Sequence, residues 1–400
     1  MRQRAAGTVV LASFLVLLLL AITSSVFLYS RHSRVELMAN RSDDLSFAKD
    51  ALIDYSVNYP SHYSDNGAGP GHLPCPDVSG NGSPELHCSG LAIGLLPVDF
   101  LAGGRRNISF QRRQSDSTQP IWYVVSSAFR YTPAPSGALG YATIVNSETQ
   151  GDIYLDGEQV IALLIAPGEV ESGQNRASNF QVSNFLESEN ADGDRYFASA
   201  QGNDQVLAIR WNDLMPLVER RVLAELKHRL ETYREQHGSF PWLSALDSNL
   251  SSGDSYCETC LRSGWVATER YRRGGTWPSF GEQECVSDQG VFPQPVVDLP
   301  PWFVRNFWHR QIWVHHQLEA NSAVCGQAPI LSLDGVEAAG LVVSVGRRLA
   351  NPAHGHGAQV RGTDAGIEHY LDHSQWVDGD TEYLSLPEAD GVNDQWSVLP

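Results

Sequence analysis

Apolar positions along this chain fall into three kinds of pattern. The first is continuous. From Thr8 to Tyr29 there are 22 residues without a charge, and about 20 apolar residues suffice to cross a bilayer as a helix. Arg2 and Arg4 precede the run and Arg31 and Arg34 follow it, which favours a cytoplasmic amino end and a chain that continues on the other side. The competing reading is a cleaved signal peptide with a small-residue site near Ser24-Ser25. The second pattern has helical period. Leu45, Ala48, Leu52 and Tyr55 form one stripe, and Leu214, Val218, Val222, Leu226, Leu230 and Tyr233 form another. The first helix is expected to stop at Asn58-Tyr59-Pro60, because the residue before proline avoids the helical region. The second is expected to be capped by Asn212 or Asp213, to carry Pro216 in its first turn and to end before Gly238. The third pattern is short and strand-like: Ile121 to Ser126, Ala142 to Val145, Val160 to Ala166, and Gln205 to Trp211.

The chain also repeats itself, and a repeat governs the fold assignment. Leu52-x-x-Tyr55 recurs as Leu230-x-x-Tyr233, and His72-Leu73-Pro74 as Ser239-Phe240-Pro241. Ile121-Trp122-Tyr123-Val124 recurs as Gln311-Ile312-Trp313-Val314. Tyr154-Leu155-Asp156-Gly157 recurs as Ser332-Leu333-Asp334-Gly335, and Val160 to Ile165 as Gly340 to Val345. Phe185-Leu186-Glu187 recurs as Tyr370-Leu371-Asp372. Asp192-Gly193-Asp194 recurs as Asp378-Gly379-Asp380, and Asn203-Asp204-Gln205 as Asn393-Asp394-Gln395. Eight matches in one order predict two related α+β units, each a helix on a small antiparallel sheet. The divisions are a leader and transmembrane helix over 1–30, a first unit over 31–211 and a second over 212–400.

Composition narrows the function. A chain of 400 residues that is 42% hydrophobic affords globular cores. Its net charge of −18 repels phosphate backbones, which excludes nucleic acid as a partner. The only two lysines, Lys49 and Lys227, follow no glycine-rich phosphate loop, so a Walker-type nucleotide site is excluded. Six cysteines, Cys75, Cys88, Cys257, Cys260, Cys285 and Cys325, read as disulfides in an exported domain. Cys75 and Cys88, the one pair in the first half, are expected to join. The other four leave three pairings open.

Several clusters are candidates for chemistry. Glu187, Glu189, Asp192 and Asp194 crowd one loop with a glycine at its turn, and Asp77 and Asn81 alternate with small residues in another. Hard cations such as Ca²⁺ take several oxygens from flexible loops of this kind, so both are candidate calcium sites. A solvated acidic turn is the plain alternative. Cys257-x-x-Cys260 has no second CxxC to complete a zinc ribbon and reads as structural. His354, His356, His369 and His373 are the most enzyme-like group, without the glutamate of a zinc-protease motif. No G-x-S-x-G elbow is present.

The layout resembles type IV pilin-like proteins, the minor pilins and the pseudopilins of type II secretion. The residues that carry this are Arg2-Gln3-Arg4 before the apolar run, the helix end from Ala48 to Tyr55, and His72-Leu73-Pro74-Cys75-Pro76-Asp77 with Gly94-Leu95-Leu96-Pro97. The loop Glu189-Asn190-Ala191-Asp192-Gly193-Asp194 adds to them. The resemblance implies a membrane helix that continues into a helix packed on an antiparallel sheet. It also implies leader processing, for which Gly7-Thr8 is the one candidate position. The family's glutamate at the fifth mature position is replaced by Ala12, as in tip subunits of the K type. The resemblance thus implies a non-catalytic minor, tip or accessory subunit, single-pass in the inner membrane with its later units in the periplasm. It would contact other pilin or pseudopilin subunits through the membrane helix. The alternatives are a membrane-tethered periplasmic metal-dependent enzyme using the histidine cluster, and a surface adhesin or ligand-binding module using tryptophans such as Trp302, Trp308 and Trp313.

Overall fold

A computed structural model describes residues 41–59, 68–85, 88–98, 120–130, 143–176, 180–200, 202–241, 243–244, 263–266, 284–285, 294–295, 297–316, 331–350, 358–359, 369–372, 382–383 and 394–399. The protein is α+β. Helix α1 covers 41–57, and its stripe of Leu45, Ala48, Leu52 and Tyr55 is buried. Its end is held by Asn58, whose backbone N–H donates to Asp54 O at 3.1 Å and whose side chain donates to the Asp54 carboxylate at 2.9 Å.

Four strands follow in one antiparallel sheet: β1 (Ala92–Leu95), β2 (Trp122–Val125), β5 (Ala162–Ala166) and β7 (Gln205–Ile209), adjacent in that order. A hairpin, β3 (Ile153–Leu155) and β4 (Glu158–Val160), joins β6 (Tyr196–Phe197) in a small second sheet, with β3 and β6 parallel. The strand expected over Val160 to Ala166 is therefore two strands. The chain bends at Ile161, whose N–H donates to Ile209 O at 2.9 Å, and passes from the hairpin into the main sheet. Residues 143–145 are not a strand; side-chain hydrogen bonds described below hold them instead.

Helix α2 (Trp211–His237) begins directly after β7. Its cap position is Arg210, two residues before Asn212 and three before Asp213. Asp213 sits inside the first turn and its carboxylate reaches back to the Arg210 N–H at 2.7 Å, a reciprocal cap that satisfies a donor the helix leaves open. Pro216 consequently lies beyond the first turn. Gly238 ends the helix with φ 75°, a conformation glycine adopts without a Cβ penalty.

The second half contains β8 (Leu243–Ser244), β9 (Ser263–Val266), the short pair β10 (Glu284–Cys285) and β11 (Gln294–Pro295), helix α3 (Pro301–Arg305), and β12 (Ile312–His316). After these come the hairpin β13 (Leu331–Leu333) and β14 (Val336–Ala338), then β15 (Gly340–Ser344), β16 (Glu382–Tyr383) and β17 (Gln395–Leu399). Its main sheet is antiparallel, in the order β17-β15-β12-β9-β8, and β16 lies parallel to β13. The pairings of the first half thus recur in the same order. Both hairpins turn at Asp-Gly: Asp156 and Asp334 have φ 51° and 52°, and Gly157 and Gly335 have 82° and 76°. That turn matches the twist of the flanking strands and needs positive φ at both positions.

Register corrects two details of the repeat, and by it Ala162 rather than Val160 corresponds to Gly340, two residues away from the match made on letters. Trp122 pairs with Ile165 and Trp313 with Val343, while Ala162 and Gly340 pair with Ile209 and Leu399 at the ends of β7 and β17. Trp122 therefore corresponds to Trp313, one residue away from the match made on letters alone. Strand side chains alternate faces, so one residue is the difference between core and far side. Tyr123, Val125, Leu164, Val314 and Val342 face a core that contains α1, α2 and both main sheets. Trp122, Val124 and Leu163 face the first hairpin, and Leu341 and Val343 the second. Every residue of α2's expected stripe is buried in the shared core. Full burial of one such side chain is worth about 1.5–3 kcal/mol. The two halves are joined through one apolar interior.

Among the described residues no helix is long and apolar enough to cross a membrane. This overturns the single-pass inner-membrane localisation expected from the sequence. The run 8–29 on which it rested lies outside the described residues, as do Gly7 and Thr8.

Candidate functional site

The first acidic loop is closed by a disulfide between Cys75 and Cys88, whose Cα atoms are 6.0 Å apart. Inside it Asp77 is only 2% exposed and its carboxylate is surrounded by donors. Oδ1 accepts from the N–H groups of Gly80 at 2.7 Å and Asn81 at 3.1 Å, and from the Ser79 hydroxyl at 3.2 Å; Oδ2 accepts from Gly82 N–H at 2.7 Å. Asn81 Oδ1 accepts from Ser83 N–H at 2.8 Å. Both expected calcium ligands therefore organise their own loop as turn acceptors.

The second loop is divided between two tasks. Glu187 and Asp204 are nearly buried. Glu187 N–H donates to Asp204 Oδ2 at 3.1 Å, Asn190 Nδ2 donates to the same oxygen at 3.3 Å, and Asn203 N–H donates to Glu187 Oε2 at 2.7 Å. Burial pushes both carboxyls above their ordinary pKa, opposed by these donors. Arg176 spans the neighbouring carbonyls, donating to Gly168 O at 2.8 Å, Asn184 O at 3.1 Å and Phe185 O at 3.1 Å. Glu189, Asp192 and Asp194 are exposed. Asp192 Oδ1 accepts from Asp194 N–H at 3.1 Å, and Asp194 Oδ1 from Tyr196 N–H at 2.7 Å. The structure brings Glu187 to Asp204 and leaves Glu189, Asp192 and Asp194 on the surface. No group of three or more His, Cys, Asp or Glu is placed to share a metal among the described residues.

The second half repeats the buried acid pair. Asp372 N–H donates to Asp394 Oδ2 at 2.7 Å and Asp394 N–H to Asp372 Oδ2 at 3.1 Å. Gln359 Nε2 donates to Asp372 Oδ1 at 2.8 Å, reaching toward the same crossing that Arg176 serves in the first half. In each half, two acidic side chains fasten the segment before the last strand to the loop that crosses the sheet.

A third cluster was not anticipated. Asp152, just before β3, accepts from the Ser127 hydroxyl and from Arg195, and from Ser127 N–H at 2.8 Å. Burial opposes the charge, but the Ser126, Ser127 and Arg195 hydrogen bonds outweigh it and hold the carboxyl at about 2. A carboxylate that acidic is a poor general base, and no histidine is among its partners, so the arrangement does not activate Ser127. Nothing local announces it: the partners are 25 and 43 positions away in sequence.

The halves also meet in polar contacts. Asn306, just after α3, accepts from Val145 N–H through Oδ1 at 2.9 Å and from Asn146 Nδ2 through its carbonyl at 2.9 Å. Lys49 and Asp213 pair at 2.8 Å between α1 and α2, and Arg348 and Glu148 pair at 2.7 Å. Beside the Lys49–Asp213 pair runs an open groove of about 660 Å³, lined by Ile53, Val57, Leu217 and the charged groups Asp50, Asp54, Arg220 and Arg221. Leu217 is 40% exposed there. His354, His356 and His373 lie outside the described residues, as do Cys257, Cys260, Cys325 and the side chain of Cys285.

No family model, curated protein or solved structure matches the chain.

Proposed function

We propose that this protein is a non-catalytic assembly subunit, built as two tandem pilin-like units, of a type IV pilus or type II secretion pseudopilus. One observation carries the reading: a helix with a single apolar stripe lies on an antiparallel sheet, and the arrangement is built twice with the same strand order. A disulfide-closed, hydrogen-bonded loop precedes the first sheet. The buried acids act as fasteners, and Asp152 beside Ser127 is too acidic to serve as its base. The two units share one core, so they present a single rigid head, which suits a tip, minor or accessory position better than repeated packing along a filament. The groove beside Leu217 is the face on which a neighbouring subunit would sit.

The test is photocrosslinking in cells. A crosslinking amino acid replaces Leu217 or Asp50, both of which line the groove, and the adducts are identified by mass spectrometry. Adducts with pilin-type subunits, together with loss of filament assembly or of secretion on deleting the gene, are expected. If the crosslinks reach no pilin-type subunit and the deletion leaves both processes intact, the reading fails.

A further inference from the structure

Two helices that run in the same direction form the walls of the groove beside Leu217. Lys49 of α1 pairs with Asp213 of α2 at 2.8 Å. Further along both helices, Gly71 N–H donates to Ser56 O at 2.9 Å, and a Cβ on Gly71 would lie 3.7 Å from the Val218 side chain. Both ties advance toward the carboxyl ends, so α1 and α2 lie side by side and parallel. The groove extends from the ion pair to Val57 on one wall and Arg221 on the other, about 12 Å at the rise of a helix.

The two walls differ in charge. Helix α1 contributes Asp50 and Asp54, both exposed, and α2 contributes Arg220 and Arg221. Lys49 and Asp213 neutralise each other at one end. Arg220 donates to Gln395 and Arg221 to Glu225, each at 3.2 Å, and both keep their positive charge in these bonds. The apolar groups are Ile53 and Val57 on the acidic wall and Leu217 on the basic one. Leu217 is 40% exposed.

A face with this layout matches itself in one orientation. A twofold axis along the groove lays α1 of one copy over α2 of the other. Asp50 and Asp54 then face the arginines, and Leu217 faces Ile53 and Val57. An axis across the groove would instead lay α1 on α1, with acid against acid. A twofold interface requires such self-matching, because the same patch serves on both copies.

We propose that the groove is the contact between two copies of this chain, related by a twofold axis parallel to α1 and α2. This names the neighbour in the groove and rests on the reading of the groove as a subunit face. Stable interfaces bury about 800 Å² per partner, and a strip two helices wide and about 12 Å long is smaller. Association is therefore weak and concentration-dependent. The net charge of −18 repels a second copy at long range. At about 0.1 M salt that field is screened beyond about 10 Å, and the facing walls lie closer than that.

This proposal and the assembly reading fail separately. Adducts with pilin-type subunits can persist when no dimer forms, and a dimer can form when deleting the gene leaves filaments and secretion intact. The test is sedimentation equilibrium of the purified full-length chain, at about 0.1 M salt and from about 1 µM to about 1 mM. A monomer–dimer equilibrium is expected. Leu217→Asp is expected to weaken it about tenfold or more, because a twofold interface loses the contact twice. Charge reversal then checks the orientation. Asp50→Arg with Asp54→Arg makes both walls basic, and Arg220→Glu with Arg221→Glu makes both walls acidic. Each double variant alone is expected to stay monomeric, and an equimolar mixture of the two is expected to associate at least as tightly as wild type. A monomeric wild type overturns the proposal, as does a Leu217→Asp dimer as tight as wild type. So does a mixture that stays monomeric while both variants keep the near-ultraviolet spectrum of wild type, or a photocrosslinker at Leu217 that captures only a different chain. If a charge reversal loses that spectrum, Leu217→Asp, at a position already exposed, decides.

Discussion

Replacing Asn306 by leucine keeps the branching of the side chain and removes the acceptor that joins the two halves. Asn306 is 2% exposed. Its Oδ1 is the partner of Val145 N–H, and Val145 has no exposed surface, so water cannot substitute. Two other bonds survive the change: Asn146 still reaches the Asn306 carbonyl, and Trp302 O still receives Asn306 N–H at 3.0 Å. The loss is therefore that of one buried, unsatisfied donor, about 1–3 kcal/mol. At the middle of that range the folding constant drops about thirtyfold. Urea unfolding followed by both tryptophan fluorescence and far-ultraviolet circular dichroism measures it. Trp122 reports on the first half, and Trp302 and Trp308 on the second. Because α1, α2 and both main sheets share one core, the two probes are expected to give one coincident transition in wild type and variant. Asn306→Asp sharpens the test. One of its oxygens can accept from Val145, but the other faces Trp302 O where a donor stood at 2.8 Å. Its folded pKa is expected to be raised, so this variant should be worse than leucine at neutral pH and recover on acidification. A loss under about 0.5 kcal/mol for Asn306→Leu, or two separate transitions, would refute the reasoning.

Gly157→Ala and Gly335→Ala place a Cβ at φ 82° and 76°, with open space around it. Each should lower stability by about 1–2 kcal/mol through backbone strain alone, read as a drop in melting temperature with unchanged near-ultraviolet spectra. Asp152, held at about 2 against an ordinary 3.8, contributes stability that is present above pH 4 or so and lost as pH falls toward 2. Asp152→Asn should therefore cost about 1–2 kcal/mol at neutral pH after allowance for partial exposure, with a flatter acid-unfolding curve than wild type. The double variant Cys75→Ser with Cys88→Ser opens a 13-residue separation and should lose about 3 kcal/mol, measured by urea unfolding under non-reducing conditions.

What the sequence determined by itself is what one segment's pattern is enough to specify. The stripe from Leu214 to Tyr233 shows as a helix because period 3.6 places those positions on one face. Gly238 shows as its end because few other residues adopt that φ. The Cys75–Cys88 bridge and the mixed α+β content were readable as well. The repeat was readable as well, although its alignment slipped by one at Trp122 and by two at Gly340. That register is fixed by β5 and β7, and a letter match cannot sense which face a residue takes. Only the tertiary structure decided which acids meet. Glu187 finds Asp204 at a separation of 17 residues, while Asp192 and Asp194, closer in sequence, turn to the surface. Only it revealed Asp152 among Ser127 and Arg195, and Asn306 beside Val145, 161 positions earlier. Such contacts leave no trace in hydrophobic periodicity, because a hydrogen bond between distant residues depends on where two backbones are brought by everything else that packs.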